Sequence, residues 1–260
     1  MTKDTHVSSL RPLIDVERMR DALRKGTGKG VRVAVIDSGV DGDHPAFTGK
    51  LKAHYDVVTD GPESRCVPAR PTDSIGHGTA TAGIVLQVAP EAEITTIKMI
   101  GEDSHGTTDQ LIAALAFAIE QGFDVINMSL GTTHDERAAE LSRLADQAFH
   151  TGRVIVAAAN NFGLAAFPAN FSSVIGVRME GFEEVEALRY DWGETIELVS
   201  RGVYVEAPSM GGGTQLYTGT SFACPNVSGL AARLLSVYPG LSGFEMRFAL
   251  SLLASTQMAR

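Results

Sequence analysis

Four times between residues 31 and 159 the chain writes a short apolar run that stops on polar or glycine-flanked residues. The runs fall at 31–36, 94–100, 125–128 and 154–159, and helix-like stretches at 77–87, 107–121 and 135–151 lie between or beside them. A run such as Val31-Arg-Val-Ala-Val-Ile36 does not alternate polar with apolar, so it suits a strand covered on both faces. Strands of that kind alternating with helices predict an α/β fold with a mostly parallel central sheet flanked by helices. Residues 14–25 open the pattern with a helix whose Ile14, Met19, Ala22 and Leu23 share a face. Strands at 174–178, 196–200 and 203–206, then helices at 221–237 and 243–254, close it. No repeat or linker divides the chain. The expected organisation is a short extension at 1–13 followed by one domain over 14–260, a length that single α/β domains reach.

Charge and cysteine usage narrow the class. Lys and Arg number 22 against 31 Asp and Glu, a formal net charge of −9. That balance argues against a nucleic-acid partner, which calls for a basic surface. No apolar run approaches the roughly 18 residues of a membrane span, so no membrane partner is expected. Cys66 and Cys224 match no metal-finger or C-x-x-C spacing and read as reduced thiols. The first ten residues lack the apolar stretch of a signal peptide. The expectation is a cytoplasmic protein, or a secreted one if this N-terminus is a processed form.

In sheets of this kind functional groups gather beyond the carboxyl ends of the strands. Three segments there carry chemistry: Asp37-Ser-Gly39, Gly76-His77-Gly-Thr79 and Gly219-Thr-Ser221 with Pro225. An Asp at a strand end can fix an imidazole's tautomer and stabilise its cation. A His is the natural general base near neutral pH. A Ser just ahead of a helix, with Pro225 tolerated in the first turn, presents a hydroxyl beside orphan backbone N–H donors that can hold an oxyanion. Ala157-Ala-Ala-Asn160-Asn161 adds a side-chain amide. Singly, each reads as a turn residue, a cap or a core histidine. Their combination in one order is what carries the assignment.

Those motifs resemble the subtilisin-like serine peptidases, whose D-[ST]-G, H-G-T and G-T-S-x-x-x-P signatures they match in the order Asp, His, Ser. The likeness extends over roughly residues 14–254. It implies a three-layer subtilisin-like fold and a serine endopeptidase that acts through an acyl-enzyme. Asp37, His77 and Ser221 would form the triad, with Asn161 in the oxyanion hole. It also assigns substrate contacts to Ser129, Leu130 and Gly131, where an extended peptide adds as a strand, and to Ala158, Ala159 and Asn160. Phe167-Pro168 and Ala207-Pro208 fall where the family carries an aromatic–Pro pair and its A-P-G turn.

Departures from the family pattern set further expectations. A second family His three residues after the first is Ala80 here, and the usual Met-Ala-Ser-Pro-His after the serine reads Phe222-Ala-Cys-Pro-Asn226. Cys224 is expected to be a small core residue, not a nucleophile. Asn160 replaces a family Gly, which should narrow the cleft or add a polar contact. Ala46 follows His44-Pro45, and residues 83–90 leave no room for the inserted loop of secreted relatives. A strong calcium site is therefore predicted absent, since such a site needs several oxygen ligands; a weaker one is left open. No metal ligand or required cofactor is assigned. Leu10-Arg-Pro-Leu-Ile14 faintly resembles the extension by which intracellular members block their own cleft, though a plain turn before the first helix is the preferred reading.

The expected partner is an extended peptide or protein substrate, with the oligomeric state open. Two rivals share the motifs: a pseudo-protease that only binds peptides, and an acyl-transfer ligase or macrocyclase. Intact triad residues weigh against the first. Short gaps between the motifs leave little room for the shielding insertions of the second. Asn160 and the short 163–167 segment favour a dedicated cytosolic processing protease that removes leader peptides over bulk turnover.

Overall fold

Why the run at 31–36 is apolar throughout is plain in the computed structural model, which describes residues 14–257. It becomes β1 (Arg32–Asp37), where Val33, Ala34, Val35 and Ile36 are fully buried. Alternate side chains leave opposite faces of the strand. Val33 and Val35 enter a core built with α1 (Val16–Lys25), α2 (His77–Val88), α5 (Thr220–Val237) and α6 (Gly243–Gln257). Ala34 and Ile36 enter a second core with α3 (Thr108–Glu120) and α4 (Ala138–His150). The sheet is thus the middle of three layers. The extension expected at 1–13 lies outside the described residues.

The other strands are β2 (Leu51–Asp60), β3 (Glu63–Pro68), β4 (Glu93–Lys98), β5 (Val125–Met128), β6 (Val154–Ala158), β7 (Ile175–Glu180), β8 (Leu188–Tyr190) and β9 (Leu198–Arg201). They assemble in the order β3-β2-β4-β1-β5-β6-β7-β9-β8, parallel except for the two edge pairs β2/β3 and β8/β9. A separate antiparallel ribbon joins β10 (Val205–Pro208) to β11 (Thr214–Tyr217). The crossover from β4 back to β1 and on to β5 places the ends of β1, β5 and β6 side by side. Asp37 ends β1 on that shelf, while His77 opens α2 and Ser221 stands second in α5.

The central elements match the sequence expectation to within a few residues, and the edges do not. β2 and β3 form a hairpin that the sequence reading missed, as were β8 and β11. β2 and β3 are largely half-exposed and β11 mostly exposed. Such strands carry no long apolar run, and three-residue β8 is too short for a period to show. Among the described residues no helix is long and apolar enough to cross a membrane.

Candidate active site

Asp37 is the last residue of β1 and is completely buried. Its Oδ1 accepts from the Ser38 backbone N–H at 2.7 Å and faces His77 Nδ1 at 2.7 Å; its Oδ2 accepts from Thr81 Oγ1 at 3.1 Å. Every acceptor direction that matters is filled, which is how a buried carboxylate is retained. His77 opens α2, after Gly76 at φ +81°, a left-handed conformation that glycine adopts without steric cost. Its imidazole is one-quarter exposed and lies against the Phe222 ring, centroids 5.3 Å apart. Burial works against the imidazolium, but the charge and hydrogen bond of Asp37, with the charge of Asp73 behind it, outweigh burial and hold the His77 pKa above its ordinary value.

Ser221 is the second residue of α5, so its backbone N–H has no intrahelical partner. The sequence expectation placed Pro225 in the first turn. It lies instead at the sixth position, inside the helix, where it cannot supply the N–H that the Ser221 carbonyl would accept. Ser129, just beyond β5, fills that vacancy, since its Oγ donates to the Ser221 carbonyl at 2.8 Å. In return, Ser221 Oγ donates to the Ser129 carbonyl at 3.0 Å. The Ser221 hydroxyl proton is thus committed to a carbonyl and not to His77 in this arrangement. Hydrogen bonds between catalytic groups are often unmade before substrate arrives.

Asn161 follows β6. Its side-chain oxygen accepts from Thr220 N at 3.0 Å, while Thr220 Oγ1 donates to the Ala159 carbonyl at 2.6 Å. Among the described residues the Asn161 NH₂ has no hydrogen-bond acceptor, and Asn161 and Ser221 line the same cleft. The six expected substrate residues, Ser129, Leu130, Gly131, Ala158, Ala159 and Asn160, all line one cleft of 160 Å³ that includes Asn161 and Ser221. Among the described residues, neither Leu130 nor Gly131 gives its backbone to another segment, which leaves their polar groups for a ligand strand. Asn160 lines the cleft, and its oxygen turns back to accept from Phe162 N at 2.8 Å.

Cys224 behaves as a core residue. It is fully buried, its Sγ donates toward Asn127 Oδ1 and the Val156 carbonyl, both at 3.3 Å, and burial pushes its thiol pKa far up. Asn226 is structural too, donating to the Val185 carbonyl and to Ser200 Oγ, each at 2.8 Å. Sequence reasoning missed Thr81, which bonds Asp37 Oδ2, and Asp73, which bonds the first turn of α2. Asp73 left one local signal, an acidic side chain just ahead of a helix whose own cap position is glycine, which marks a candidate cap but not its tie to the Asp37 loop.

Comparison with known proteins agrees with this geometry. The family model for the subtilase family, peptidase family S8, matches residues 28–257. Subtilisin DY of Bacillus licheniformis is 33% identical over 255 residues, covering 92% of this chain and 88% of that protein. Subtilisin E of Bacillus subtilis (strain 168) is 32% identical over 236 residues, covering 85% of this chain and 59% of the relative. A crystal structure of a cold adapted subtilisin-like serine proteinase superposes with a TM-score of 0.72 at 28% identity, covering 89% of this chain and 83% of the other. Buried Asp37 and its imidazole partner, a serine at a helix start, and a family match that spans all three lead to one assignment: the chain belongs to the subtilase family of serine-type endopeptidases.

Proposed function

We propose that this chain hydrolyses peptide bonds in extended substrates through an acyl-enzyme at Ser221. The observation that carries the reading is the 2.7 Å Asp37–His77 pair, whose imidazole packs on Phe222, the residue next to Ser221. Substrate main chain adds along Leu130 and Gly131, and the side chain before the scissile bond enters the 160 Å³ cleft. His77 Nε2 takes the Ser221 proton as Oγ attacks the carbonyl carbon. The Asn161 amide and the Ser221 backbone N–H hold the oxyanion. Imidazolium then gives the proton to the leaving amine, and water repeats the sequence on the ester. Asp37 fixes the imidazole tautomer and stabilises its cation throughout.

The cleft has no Asp, Glu, Lys or Arg in its lining, which supports a neutral side chain at that position. A larger cleft of 550 Å³, floored by Met99, Leu111 and Leu130, runs on from Gly131 and suits residues further from the cut. Covalent labelling by a fluorophosphonate tests the mechanism. One label per chain is expected, and a label that survives Ser221→Ala refutes it. Hydrolysis is distinguished from ligation by added amine: transfer to the amine as the main product would replace the hydrolase reading.

A dedicated processing role, removal of a leader from a precursor peptide in a reducing compartment, is the narrower reading. It is supported by the neutral cleft, with Asn160 in its lining, and by free Cys66 and Cys224. Incubation with a diverse peptide library should give cleavage at one or a few related sequences. Scattered cleavage without preference removes the processing role and leaves the peptidase.

A further inference from the structure

α2 carries the base on its first residue, yet the cap position before it is Gly76, which has no side chain to satisfy the helix's orphan N–H groups. Asp73 supplies what Gly76 lacks. Its Oδ1 accepts from Gly76 N at 2.9 Å, Ile75 N at 3.1 Å and Ser38 Oγ at 2.7 Å. Its Oδ2 accepts from Thr79 N at 2.7 Å and Thr79 Oγ1 at 2.6 Å. Ser38 Oγ in turn accepts from Gly78 N at 2.9 Å. One carboxylate therefore binds the start of the helix that holds His77 to the loop that follows Asp37.

Electrostatics point the same way. A helix N-terminus carries partial positive charge, which disfavours a cation on its first residue. The charged groups whose fields reach His77 are Asp37, which touches the ring, and Asp73, which does not. Burial pushes the Asp73 carboxyl up, but its hydrogen bonds from Thr79, Ser38 and Ile75 outweigh that and keep it ionised.

We propose that Asp73 is a positioning residue for the general base: it fixes the first turn of α2 against the Asp37 loop, and its charge stabilises the His77 imidazolium formed during the reaction. The inference rests on the triad reading above. It gives a second carboxylate a role in the reaction without contact with substrate.

Two readouts test it. In a Ser221→Ala background, His77 is titrated by NMR with and without Asp73→Asn, a change that keeps the side chain's shape and removes its charge. In the active background, kcat/KM is followed against pH for Asp73→Asn and Asp73→Ala. The expected results are a fall in the His77 pKa, a matching shift of the acid limb of kcat/KM to lower pH, and a lower plateau. Asp73→Ala should lose about 10²-fold, the typical cost of a group displaced by roughly 1 Å. Asp43→Asn, a carboxylate with a 93% exposed side chain in the segment that follows Asp37, should move neither readout.

A lowered plateau with an unmoved pKa and limb would make Asp73 a structural cap only and overturn the proposal, as would an equal shift from Asp43→Asn. If Asp73→Ala does not fold, the Asn variant decides alone. Activity that survives Ser221→Ala would refute the triad but leave the NMR titration of His77 as a valid test of Asp73.

Discussion

Gly78, the second residue of α2, sets how closely the base-bearing helix approaches the Asp37 loop. A Cβ built there would stand 2.1 Å from the Gly39 carbonyl oxygen, where real contacts essentially never fall under 3.0 Å. The neighbour is backbone, so Gly78→Ala must part helix from loop by about 0.9 Å, since a close-packed interior offers no slack. The Asp37–His77 bond crosses the same gap at 2.7 Å. Stretched by that amount it reaches about 3.6 Å, outside hydrogen-bond range. A misplacement of this size costs on the order of 10² in kcat/KM, equivalent to about 2.7 kcal/mol of barrier. Overpacking should also destabilise the fold by about 1–3 kcal/mol, so a control must separate unfolding from misalignment. Gly26→Ala provides it: its Cβ would meet the Arg233 carbonyl oxygen at 2.3 Å, between α1 and α5 and away from the cleft. The assay is kcat/KM on a chromogenic peptide, well below each variant's Tm. If Gly78→Ala stays within about threefold of the parent, or Gly26→Ala loses as much activity, the reasoning is wrong.

Asn161→Ala should lower kcat by about 10²–10³ with little change in KM, a range taken from the corresponding amide of subtilisin and not from this structure; an equal rise in KM instead would assign the amide to ground-state binding. His77 must be neutral to act, and its pKa is held above the ordinary 6.5, so the acid limb of kcat/KM should lie above pH 6.5. The same shift makes the His77 contribution to stability complete below 6.5 and lost as pH rises through the raised value. Activity should therefore climb while Tm slips over one pH window, and a limb at or below 6.5 would contradict the assignment. Chelation should leave Tm unchanged if no strong calcium site exists, and a large drop would overturn that expectation. Burial pushes the Cys66 thiol up to about 12 and Cys224 further, so neither should alkylate quickly at neutral pH in the folded protein.

How far the sequence discloses this site depends on where the information lies. Asp37, His77 and Ser221 stood out in the sequence because three motifs, each at a strand end or a helix start, follow one another in a single order. Cys224 was legible as core because it lies one turn from Ser221 on a buried helix. Asp73 was hidden since its role is spread over Ser38, Gly76 and Thr79, which gather only when β1 and α2 pack together. The exchange between Ser129 and Ser221 was hidden for the same reason, as it joins residues 92 apart in sequence. β2 and β3 escaped notice because half-exposed edge strands lack the apolar run that betrays β1.

That exchange between two serines has a consequence for how the enzyme rests. The site's hydrogen bonds fall into two groups, one joining β1 to α2 through Asp37 and His77, the other joining β5, β6 and α5 through Ser129, Asn161 and Thr220, with the His77–Phe222 contact between them. On the proposed mechanism, the hydroxyl that must attack is parked within its own group, on the Ser129 carbonyl. A neutral hydrogen bond of this kind is worth about 1 kcal/mol net, so rotating the hydroxyl toward the base lowers the armed population by only about fivefold. The latch is weak enough for substrate to spring by arriving, and strong enough to keep the idle hydroxyl turned away from its base.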